Sequence, residues 1–408
     1  MQKNTHALCN ICGKKISASI VYKNENVFLV KTCEVHGKQK VLLSNDKAYF
    51  ERADRVNLAN NLFMRGSMKE NCPHDCGNCA NHEQHSAMTI IEVTDNCNME
   101  CATCIATSSL GTNKHKDLHQ ILYIMDSVIA HEFNRPCLLM LSGGEPTTHP
   151  NIFDIIKAAI DKQFNHIMLI TNGKIIAEDI NFVKKLSEFR DNIEIYLQFD
   201  SLKKEALVDI RGYDLHDMRM KAIDNLDTFS IHSTLVCVVK KGVNDNELID
   251  IVNFALGKKF VRGITLQPIK ATGRHSTFSF KSTITLSEIR QCFIKAGIVD
   301  DENFIPHPLN PHSIGIAYLD KSNKTNFVTQ QIFNNGNTKW REEVRREIYF
   351  LPCFNNQAFK YENLFRITII SYLDIYNFDF NQVKKCCIKF ATENGKLIPI
   401  DTYYMFHK

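Results

Sequence analysis

The chain has 408 residues, of which 49 are Lys or Arg and 45 are Asp or Glu, so its net charge is +4. A charge this close to neutral, with no block of basic residues, argues against a nucleic-acid partner. Its apolar runs are shorter than the roughly 18–20 residues that span a bilayer, so we expect no transmembrane segment, while peripheral membrane contact stays open. At about 100–200 residues per domain, the length predicts two or three domains.

Cysteine usage indicates metal binding rather than disulfide bonding. The chain contains 15 Cys, an odd number, and most of them stand in C-x2-C or C-x3-C spacings. The N-terminus shows no secretory pattern, so we expect a reducing compartment and predict a cytoplasmic location. Cys137, Cys237 and Cys292 lie within apolar stretches, and we interpret them as core residues.

Residues 1–60 are predicted to form a small metal-binding ribbon. Cys9 and Cys12 precede a short hairpin pattern, and Cys33 and His36 follow it. A segment of this size buries little apolar surface, so a bound metal would supply the missing stability. The three cysteines are clear ligands, whereas the fourth ligand is either His36 or a Cys from elsewhere. Zn and mononuclear Fe both suit such a site.

A cysteine-rich segment at 61–86 comes next. Its three cysteines form a C-x3-C-x2-C run, Cys72, Cys76 and Cys79. An iron–sulfur cluster normally takes four thiolates. The adjacent Cys386 and Cys387 are the best remaining donors, so one of them could complete an auxiliary 4Fe–4S cluster. A zinc knuckle completed by His82 is an alternative, and so is plain burial of both C-terminal cysteines.

A second C-x3-C-x2-C run follows an apolar strand pattern at 88–93. Its members are Cys97, Cys101 and Cys104. Three thiolates can hold three irons of a 4Fe–4S cube, which leaves the fourth iron open for a reactant. A zinc knuckle would need a fourth Cys or His at close spacing, and the first nearby His is His115. The spacing therefore favours a cluster with an open position.

The next apolar strand runs into Ser142-Gly143-Gly144-Glu145-Pro146. Two consecutive glycines expose backbone N–H and C=O groups with no side chain in the way. Such an edge can bind the amino and carboxylate groups of an amino-acid moiety. We expect a side chain at Gly144 to obstruct that ligand with little effect on the fold.

The two motifs in this order resemble the cluster motif and the methionine-binding motif of the radical S-adenosylmethionine (SAM) superfamily. The resemblance implies that the open iron binds SAM and that an electron from the cluster cleaves SAM to a 5′-deoxyadenosyl radical. It assigns cluster ligation to the three cysteines at 97–104 and cofactor binding to Gly143, Gly144, Glu145 and Pro146. It also implies a reducing partner such as a flavodoxin or ferredoxin.

Residues 87–275 alternate strand and helix patterns, which predicts an α/β fold with a parallel sheet. Strands are predicted at 88–93, 137–141, 166–170, 193–199, 232–239 and 263–268. Helices are predicted near 117–132, 151–163, 177–188, 204–228 and 246–257, the last with Asn244-Asp245 as its N-cap pair. Six units are too few for a full barrel and match the partial (β/α)6 TIM-type barrel of the superfamily.

Catalytic groups of such barrels gather at the C-terminal ends of the strands. Four polar residues at predicted strand ends are therefore candidates for cofactor binding: Asn172, Gln198, Asp200 and Gln267. Simpler roles remain open for three of them. Asn172 could form a turn with Gly173, Asp200 could cap a helix, and Gln267 could end its strand.

A narrower resemblance covers most of the chain. The segments that carry it are 9–12, 31–37, 72–77, 92–97, 197–200, 235–236, 241–245, 267–268, 272–274 and 383–388. They resemble the tetraether lipid synthase family. That family implies a rubredoxin-like ribbon, a radical SAM barrel and auxiliary 4Fe–4S clusters. Its known activities include C–C coupling of lipid chains, and related members have been assigned to methylation of a pterin coenzyme.

The chain departs from that family at three positions. Family members place two Cys around the segment that is here 306–312, and another in the segment that is here 399–403, and this chain has Cys at neither. The loss of these thiolates implies a single auxiliary cluster. Residues 276–408 are expected to form a C-terminal α+β auxiliary domain that also holds substrate.

Three functions are open at this point. The first is a radical SAM enzyme that abstracts hydrogen from an unactivated C–H bond, of a lipid or of another small molecule. The second is a radical SAM methyltransferase that acts on a coenzyme or a lipid. The third is a non-enzymatic zinc-ribbon scaffold.

Overall fold

The computed structural model describes residues 2–56, 72–77, 79–131, 138–164, 166–275, 282–321, 327, 329 and 363–408. Cys137, which was assigned to the core, and positions 61–71 of the cysteine-rich segment lie outside these residues. No helix in the described part of the chain is long and apolar enough to cross a membrane.

The N-terminal ribbon is a four-stranded antiparallel sheet with sequential strand order. Its strands are β1 (Gln2–Leu8), β2 (Lys15–Lys23), β3 (Asn26–Cys33) and β4 (Gly37–Ser44), and α1 (Lys47–Val56) follows. Alternate residues of β3, among them Val27 and Leu29, are buried and pack with Phe50 of α1. The buried Lys31 ammonium donates hydrogen bonds to the carbonyl oxygens of Leu8 and Tyr376, which fastens the ribbon to the C-terminal region.

A larger sheet holds eleven strands. The strands after the ribbon are β5 (Met88–Thr94), β6 (Asn96–Cys97), β7 (Ser109–Leu110), β8 (Leu138–Gly143), β9 (His166–Thr171), β10 (Ile193–Gln198), β11 (Ser233–Val239), β12 (Val261–Pro268), β13 (Ile305–Pro306), β14 (Ile314–Asp320), β15 (Leu364–Ile370), β16 (Ile388–Ala391) and β17 (Leu397–Pro399). The six strands expected for the partial barrel, β5 and β8 to β12, pair in parallel in chain order. Strands β6 and β7 form a separate two-stranded pair. The α/β class with a parallel sheet is thus confirmed.

The C-terminal strands join the same sheet at both of its ends. Strand β15 pairs in parallel with β12, and β16 pairs in parallel with β5. Strands β13, β14 and β17 then add antiparallel edges. The expected boundary at 275 therefore does not separate two sheets, because residues from beyond it extend the barrel sheet on either side.

The helices lie between the strands and against them. They are α2 (Leu118–His131), α3 (Ile152–Asp161), α4 (Lys174–Glu178), α5 (Ile180–Leu186), α6 (Lys204–Arg211), α7 (His216–Thr228), α8 (Leu248–Gly257), α9 (Leu286–Lys295), α10 (Phe380–Val383) and α11 (Ile400–Thr402). Two expected helices are each split in two. Asp179 ends α4 and caps α5 through hydrogen bonds to two backbone N–H groups, and Gly212 ends α6 with φ of +86°.

The predicted N-cap of α8 is wrong. Glu247 holds the N-cap position, with no side-chain cap. Asn244 instead donates from Nδ2 to the carbonyl oxygens of Asp200 (2.9 Å) and Val238 (2.8 Å). This side chain therefore ties two strand ends together rather than starting the helix.

Each barrel strand is buried on both of its faces, as parallel strands covered by helices are. Leu139 and Leu141 belong to the core under the helices, whereas Met88, Met140 and Tyr196 belong to a second cluster on the inner face. The inner face also holds a buried polar group. Glu194 there accepts hydrogen bonds from Arg366 and Thr234.

We predict that Arg366→Met lowers the free energy of unfolding by about 3–5 kcal/mol, because it leaves the carboxylate of Glu194 buried without its guanidinium. Glu194 is fully buried and Arg366 is 2% exposed. Urea unfolding measures the difference.

The control is Lys157→Met, which breaks a pair with Asp161 whose side chains are 65% and 61% exposed. It should cost less than about 0.5 kcal/mol. Equal losses in the two variants would contradict a structural role for the buried pair.

Candidate active site and metal centres

One cavity lies at the C-terminal ends of the barrel strands. It has about 1400 Å³ of empty space, part of which is open solvent at its mouth. Its lining brings together most of the candidate residues from the sequence: Cys97, Cys101, Cys104, Gly143, Gly144, Glu145, Asn172, Gln198 and Gln267. Residues up to 170 positions apart in the chain, such as Cys97 and Gln267, thus meet at one place. Pro146 and Asp200 are not part of this lining.

The three cysteines sit on the loop that begins at the end of β6. Thr103 donates to the carbonyl oxygen of Ile210 at 2.9 Å, which ties this loop to α6. Burial raises the pKa of Cys97 to about 11. Burial also raises the pKa of Cys101, although the nearby guanidinium of Arg211 opposes the shift. Because metals bind thiolates, loading a cluster here releases protons.

Arg274 secures the same loop. Its backbone N–H donates to the carbonyl oxygen of Cys104 at 3.0 Å. Its guanidinium donates to the carbonyl oxygens of Cys101, at 3.0 Å, and Ser108. Arg274 thus holds the cysteine loop through three hydrogen bonds to its backbone.

The two glycines are packed against the segment that leads into the cysteine loop. Gly144 donates its N–H to Thr94, and Glu145 donates its N–H to Asn96, each at 2.8 Å. A Cβ at Gly144 would lie 2.6 Å from the Asn96 carbonyl carbon and closer still to its oxygen. The expectation that a side chain there would spare the fold is therefore wrong. Both N–H groups are already hydrogen-bonded within the protein. A ligand would therefore have to bind other polar groups of this edge.

Glu145 is a fixed carboxylate. It is 1% exposed and accepts hydrogen bonds from the hydroxyl of Thr147 (2.6 Å) and the N–H of Asn172 (2.7 Å). Burial raises its pKa, and those hydrogen bonds oppose the shift. Asn172 in turn donates to the side-chain oxygen of Asn98 at 2.7 Å, on the cysteine loop.

The predicted cofactor contact of Asp200 needs correction. Its carboxylate is fully buried and is paired with Arg211 at 2.8 Å and with Arg219 at 2.9 Å. Although burial alone would raise the pKa of Asp200, the two guanidinium groups lower it to about 2. Arg211, rather than Asp200, reaches the cavity and also donates to Gln198 at 2.8 Å. Asp200 is thus a positioning residue for Arg211.

Several cavity residues were not proposed from the sequence. Lys270 and Tyr372 line the cavity, as does Tyr404. Tyr404 donates its hydroxyl to the carboxylate of Glu92 at 2.9 Å. Only Lys270, just past a strand end, could have been proposed by the rule that chemistry gathers there. The tyrosines come from C-terminal segments whose approach to the barrel depends on long-range pairing.

The ribbon holds a second candidate metal centre. Cys9, Cys12, Cys33 and His36 have ligand atoms that all lie within 4.8 Å of one another. Cys12 Sγ and Cys33 Sγ are 4.0 Å apart, and His36 Nδ1 is 3.5 Å from Cys33 Sγ. With Zn–S bonds of about 2.3 Å, tetrahedral geometry places ligand atoms roughly 3.8 Å apart. His36 therefore fits as the fourth ligand, the position that the sequence left open.

Cys9 is prepared for ligation by its surroundings. Burial opposes ionisation, but the backbone N–H groups of Cys12 and Ile11 lower the pKa of Cys9 to about 5. Gln39 also donates to Cys9 Sγ at 3.1 Å. Such hydrogen bonds fix a metal ligand and stabilise its thiolate form.

The third cysteine group lies where the cysteine-rich segment meets the C-terminal region. The thiols of Cys72 and Cys76 hydrogen-bond each other, and Cys76 also contacts the hydroxyl of Thr402. Cys386 is 1% exposed, and its thiol donates to the carbonyl oxygen of Ile388 at 3.2 Å. Its own carbonyl oxygen is 2.7 Å from His82 Nε2. The backbone contacts thus bring the two segments together as expected, while the Cys386 thiol is engaged elsewhere.

Comparison with known proteins identifies the class. Residues 91–255 match the family model of the radical SAM superfamily, and residues 1–45 match a model described as the HMPTM N-terminal zinc ribbon domain. The chain is therefore an enzyme with a radical SAM domain, which uses a 4Fe–4S cluster and SAM, and it carries an N-terminal metal ribbon. The non-enzymatic scaffold considered above is therefore wrong.

The chain is similar to several curated proteins and solved structures. A 7,8-dihydro-6-hydroxymethylpterin dimethyltransferase of Methanocaldococcus jannaschii is 28% identical, in an alignment that covers 100% of this chain and 94% of that protein. A probable GTP 3′,8-cyclase of Pyrococcus abyssi is also 28% identical but is matched over 40% of this chain and 51% of its own length. Among solved structures, Streptococcus suis SuiB bound to its precursor peptide SuiA is similar with a TM-score of 0.45 and 12% identity, over 71% of this chain and 69% of that one.

We predict that Gly144→Ala lowers the stability of the holoenzyme by about 1–3 kcal/mol or more, since the added methyl group forces the Asn96 backbone to move. Urea unfolding and the iron content of the purified protein measure the effect, and both should fall.

Gly257→Ala is the matched control, because no atom lies within 4 Å of a Cβ at that position. It should change stability by less than about 1 kcal/mol and leave the iron content unchanged. A Gly144→Ala protein as stable as this control would refute the close backbone packing.

Proposed function

We propose that Cys97, Cys101 and Cys104 ligate the 4Fe–4S cluster of this radical SAM enzyme and leave its fourth iron for SAM. The observation that carries the proposal is the single cavity that joins these three thiols to the edge at Gly143 and to Arg211. Cluster-bound SAM supplies a 5′-deoxyadenosyl radical that abstracts hydrogen from the substrate. The residues around it bind, orient and shield the reactants.

The charge of the site supports this assignment. Asp200, Arg211 and Arg219 form a buried group of one carboxylate and two guanidinium ions, so the group carries one net positive charge. A buried net charge is stabilised by an opposite charge nearby. Arg211 is the member that lines the cavity, and it suits the carboxylate of SAM. The carboxylate of Glu145, which also lines the cavity, suits the amino group of SAM.

The other strand-end residues complete the proposed SAM site. Asn172 and Gln198 line the cavity between Glu145 and Arg211, where their amides can bind the ribose and adenine. Gln267, which the sequence grouped with them, lines the cavity further along the sheet beside Tyr372, on the side that we propose for the substrate. Pro146 starts the short helical turn after Glu145 and holds the end of the edge in place.

For the substrate, we propose methyl transfer to a reduced pterin or a similar coenzyme, with a folate-type one-carbon carrier as the carbon donor, because SAM that is cleaved to the radical leaves its methyl group on methionine. Two findings support it: the aligned pterin dimethyltransferase covers nearly the whole of both chains, and the ribbon matches the HMPTM model. A second candidate is modification of a lipid C–H bond. The apolar inner face of the sheet favours it, because Met88, Ile90 and Met140 line the cavity.

Product analysis separates the two candidates. The reduced holoenzyme is incubated with SAM, a methylene-bearing tetrahydrofolate as carbon donor, and either 7,8-dihydro-6-hydroxymethylpterin or a membrane lipid extract, and mass spectrometry follows each substrate. Growth of the pterin mass by one methylene unit per methyl group supports methyl transfer. A changed lipid alone supports the second candidate.

We also propose an electron donor and a cellular location for the enzyme. A flavodoxin or ferredoxin is the proposed electron donor, because a 4Fe–4S cluster must be reduced before SAM is cleaved. The proposed location is the cytoplasm. In the described part of the chain no disulfide joins the cysteines, and disulfides are rare in a reducing compartment.

We predict that replacing Cys97, Cys101 and Cys104 with Ala abolishes 5′-deoxyadenosine formation, since no thiolate then remains to hold the irons next to SAM. Chromatography of a dithionite-reduced reaction measures the product. The control is Cys292→Ala, a half-buried cysteine outside the site. Equal product from the triple variant and this control would refute the assignment.

We further propose that Cys72, Cys76 and Cys79 ligate one auxiliary cluster, completed by Cys386 or Cys387. Support comes from their spacing and from the backbone contacts between the two segments. The N–H of Glu83 donates to the carbonyl oxygen of Lys384 at 2.7 Å.

We predict that the double variant Cys386→Ala/Cys387→Ala contains about four fewer irons per chain, because a cluster normally needs four thiolates. Iron analysis and electron paramagnetic resonance measure the loss, again beside Cys292→Ala. A full iron content would show that these cysteines do not serve the cluster and would favour a zinc knuckle completed by His82.

A further inference from the structure

Lys270 is a buried cation on the wall of the cavity. It follows β12 and is 8% exposed. Its Nζ donates one hydrogen bond, to Ser371 Oγ at 3.1 Å. No carboxylate forms an ion pair with it in the described part of the chain. An ammonium group has three donors, so two of them remain for something inside the cavity.

The two nearby carboxyl groups are occupied. Asp374 accepts hydrogen bonds from the N–H groups of Ala271 (3.0 Å) and Tyr376 (3.0 Å). Asp401 accepts the N–H of Leu373 at 2.7 Å, and burial raises its pKa. Taking an ammonium ion out of water costs several kcal/mol unless a partner compensates. The protein partners offset only part of this cost for Lys270.

Gln267 supplies the complementary group, three residues earlier on the same strand end. Its Nε2 donates to the hydroxyl oxygens of Tyr372 at 3.3 Å and Tyr196 at 3.5 Å. Its Oε1 has no hydrogen bond within the described residues. Gln267, Lys270 and both tyrosines line the cavity. This corner therefore offers a cationic donor and an amide acceptor to a ligand.

We propose that Lys270 and Gln267 determine substrate specificity by binding the lactam edge of a heteroaromatic ring, with Lys270 donating to the ring carbonyl and Gln267 accepting from the ring N–H. The inference rests on the proposed function and deepens it, because a reduced pterin has such an edge. An unfunctionalised hydrocarbon chain offers neither group and would leave the ammonium unpaired.

The test measures binding of two ligands to the reconstituted holoenzyme and its variants. The probes are 7,8-dihydro-6-hydroxymethylpterin and SAM, each titrated separately. Lys270→Met should weaken pterin binding about 10- to 100-fold, the loss expected for one hydrogen bond to a charged group. Lys270→Arg, which keeps the charge, should recover part of it. The matched control is Lys157→Met, far more exposed at the surface.

Each result decides the inference. Weaker pterin binding without a matching change in SAM affinity supports it. Equal pterin binding by wild type and Lys270→Met overturns it and leaves the proposed function standing. A parallel loss of SAM affinity also overturns it, because Lys270 would then belong to the SAM site.

Two further arms keep the test decisive. A wild-type enzyme that cleaves SAM but binds no pterin overturns both the inference and the proposed substrate class. If Lys270→Met loses its iron and fails to fold, Gln267→Leu replaces it in the same binding measurements. This substitution removes the amide oxygen that accepts from the ring N–H and leaves the side chain uncharged. Unchanged pterin binding by Gln267→Leu would then refute the proposed binding of the lactam edge by Gln267 and Lys270.

Discussion

The active site depends on a close backbone contact between two neighbouring strand ends. The N–H groups of Gly144 and Glu145 donate to the carbonyl oxygens of Thr94 and Asn96. Cys97 follows Asn96 directly, so this contact sets where the cysteine loop leaves the sheet. Only glycine fits at such a separation, because a Cβ would occupy the space of the facing carbonyl group. The edge assigned to SAM and the loop assigned to the cluster are therefore one rigid unit.

Around that unit, buried charges act at short range in a medium that screens them weakly. The Asp200 carboxylate holds Arg211 in one orientation and shares its charge with Arg219. Arg219 also donates to the carbonyl oxygen of Phe199 and fastens the group to the end of β10. The cation that faces the thiols is thus held in place before any ligand arrives. Such preorganisation lowers the cost of binding an anionic group.

Local patterns predicted the parts of the site that follow directly from a strand. Asn172, Gln198 and Gln267 were proposed because a barrel places chemistry at strand ends, and Gly143 because two consecutive glycines follow a strand. The role of Asp200 could not be found in the same way. Its neighbours Arg211 and Arg219 lie on later helices, and nothing in the spacing shows which of the three faces the cavity.

Long-range pairing of strands explains the other differences between the prediction and the structure. The C-terminal strands were assigned to a domain of their own, yet β15 and β16 extend the barrel sheet at opposite ends. Which strand edge accepts a partner depends on the whole sheet rather than on residues near it in the chain. The contributions of Tyr372 and Tyr404 to the cavity were missed for the same reason.

The pairing of β16 with β5 has a consequence for biosynthesis. Strand β5 ends at Thr94, and its neighbour β16 starts at Ile388. At about 5–20 residues per second, a ribosome needs roughly 15–60 s to make the chain between them. During that interval the first barrel strand presents an open edge, which is a template for unwanted association. Tyr404, which donates a hydrogen bond to Glu92 of the same strand, is made later still, so the nascent enzyme carries its cysteine loop on an unfinished sheet until the segment around Tyr404 has been synthesised.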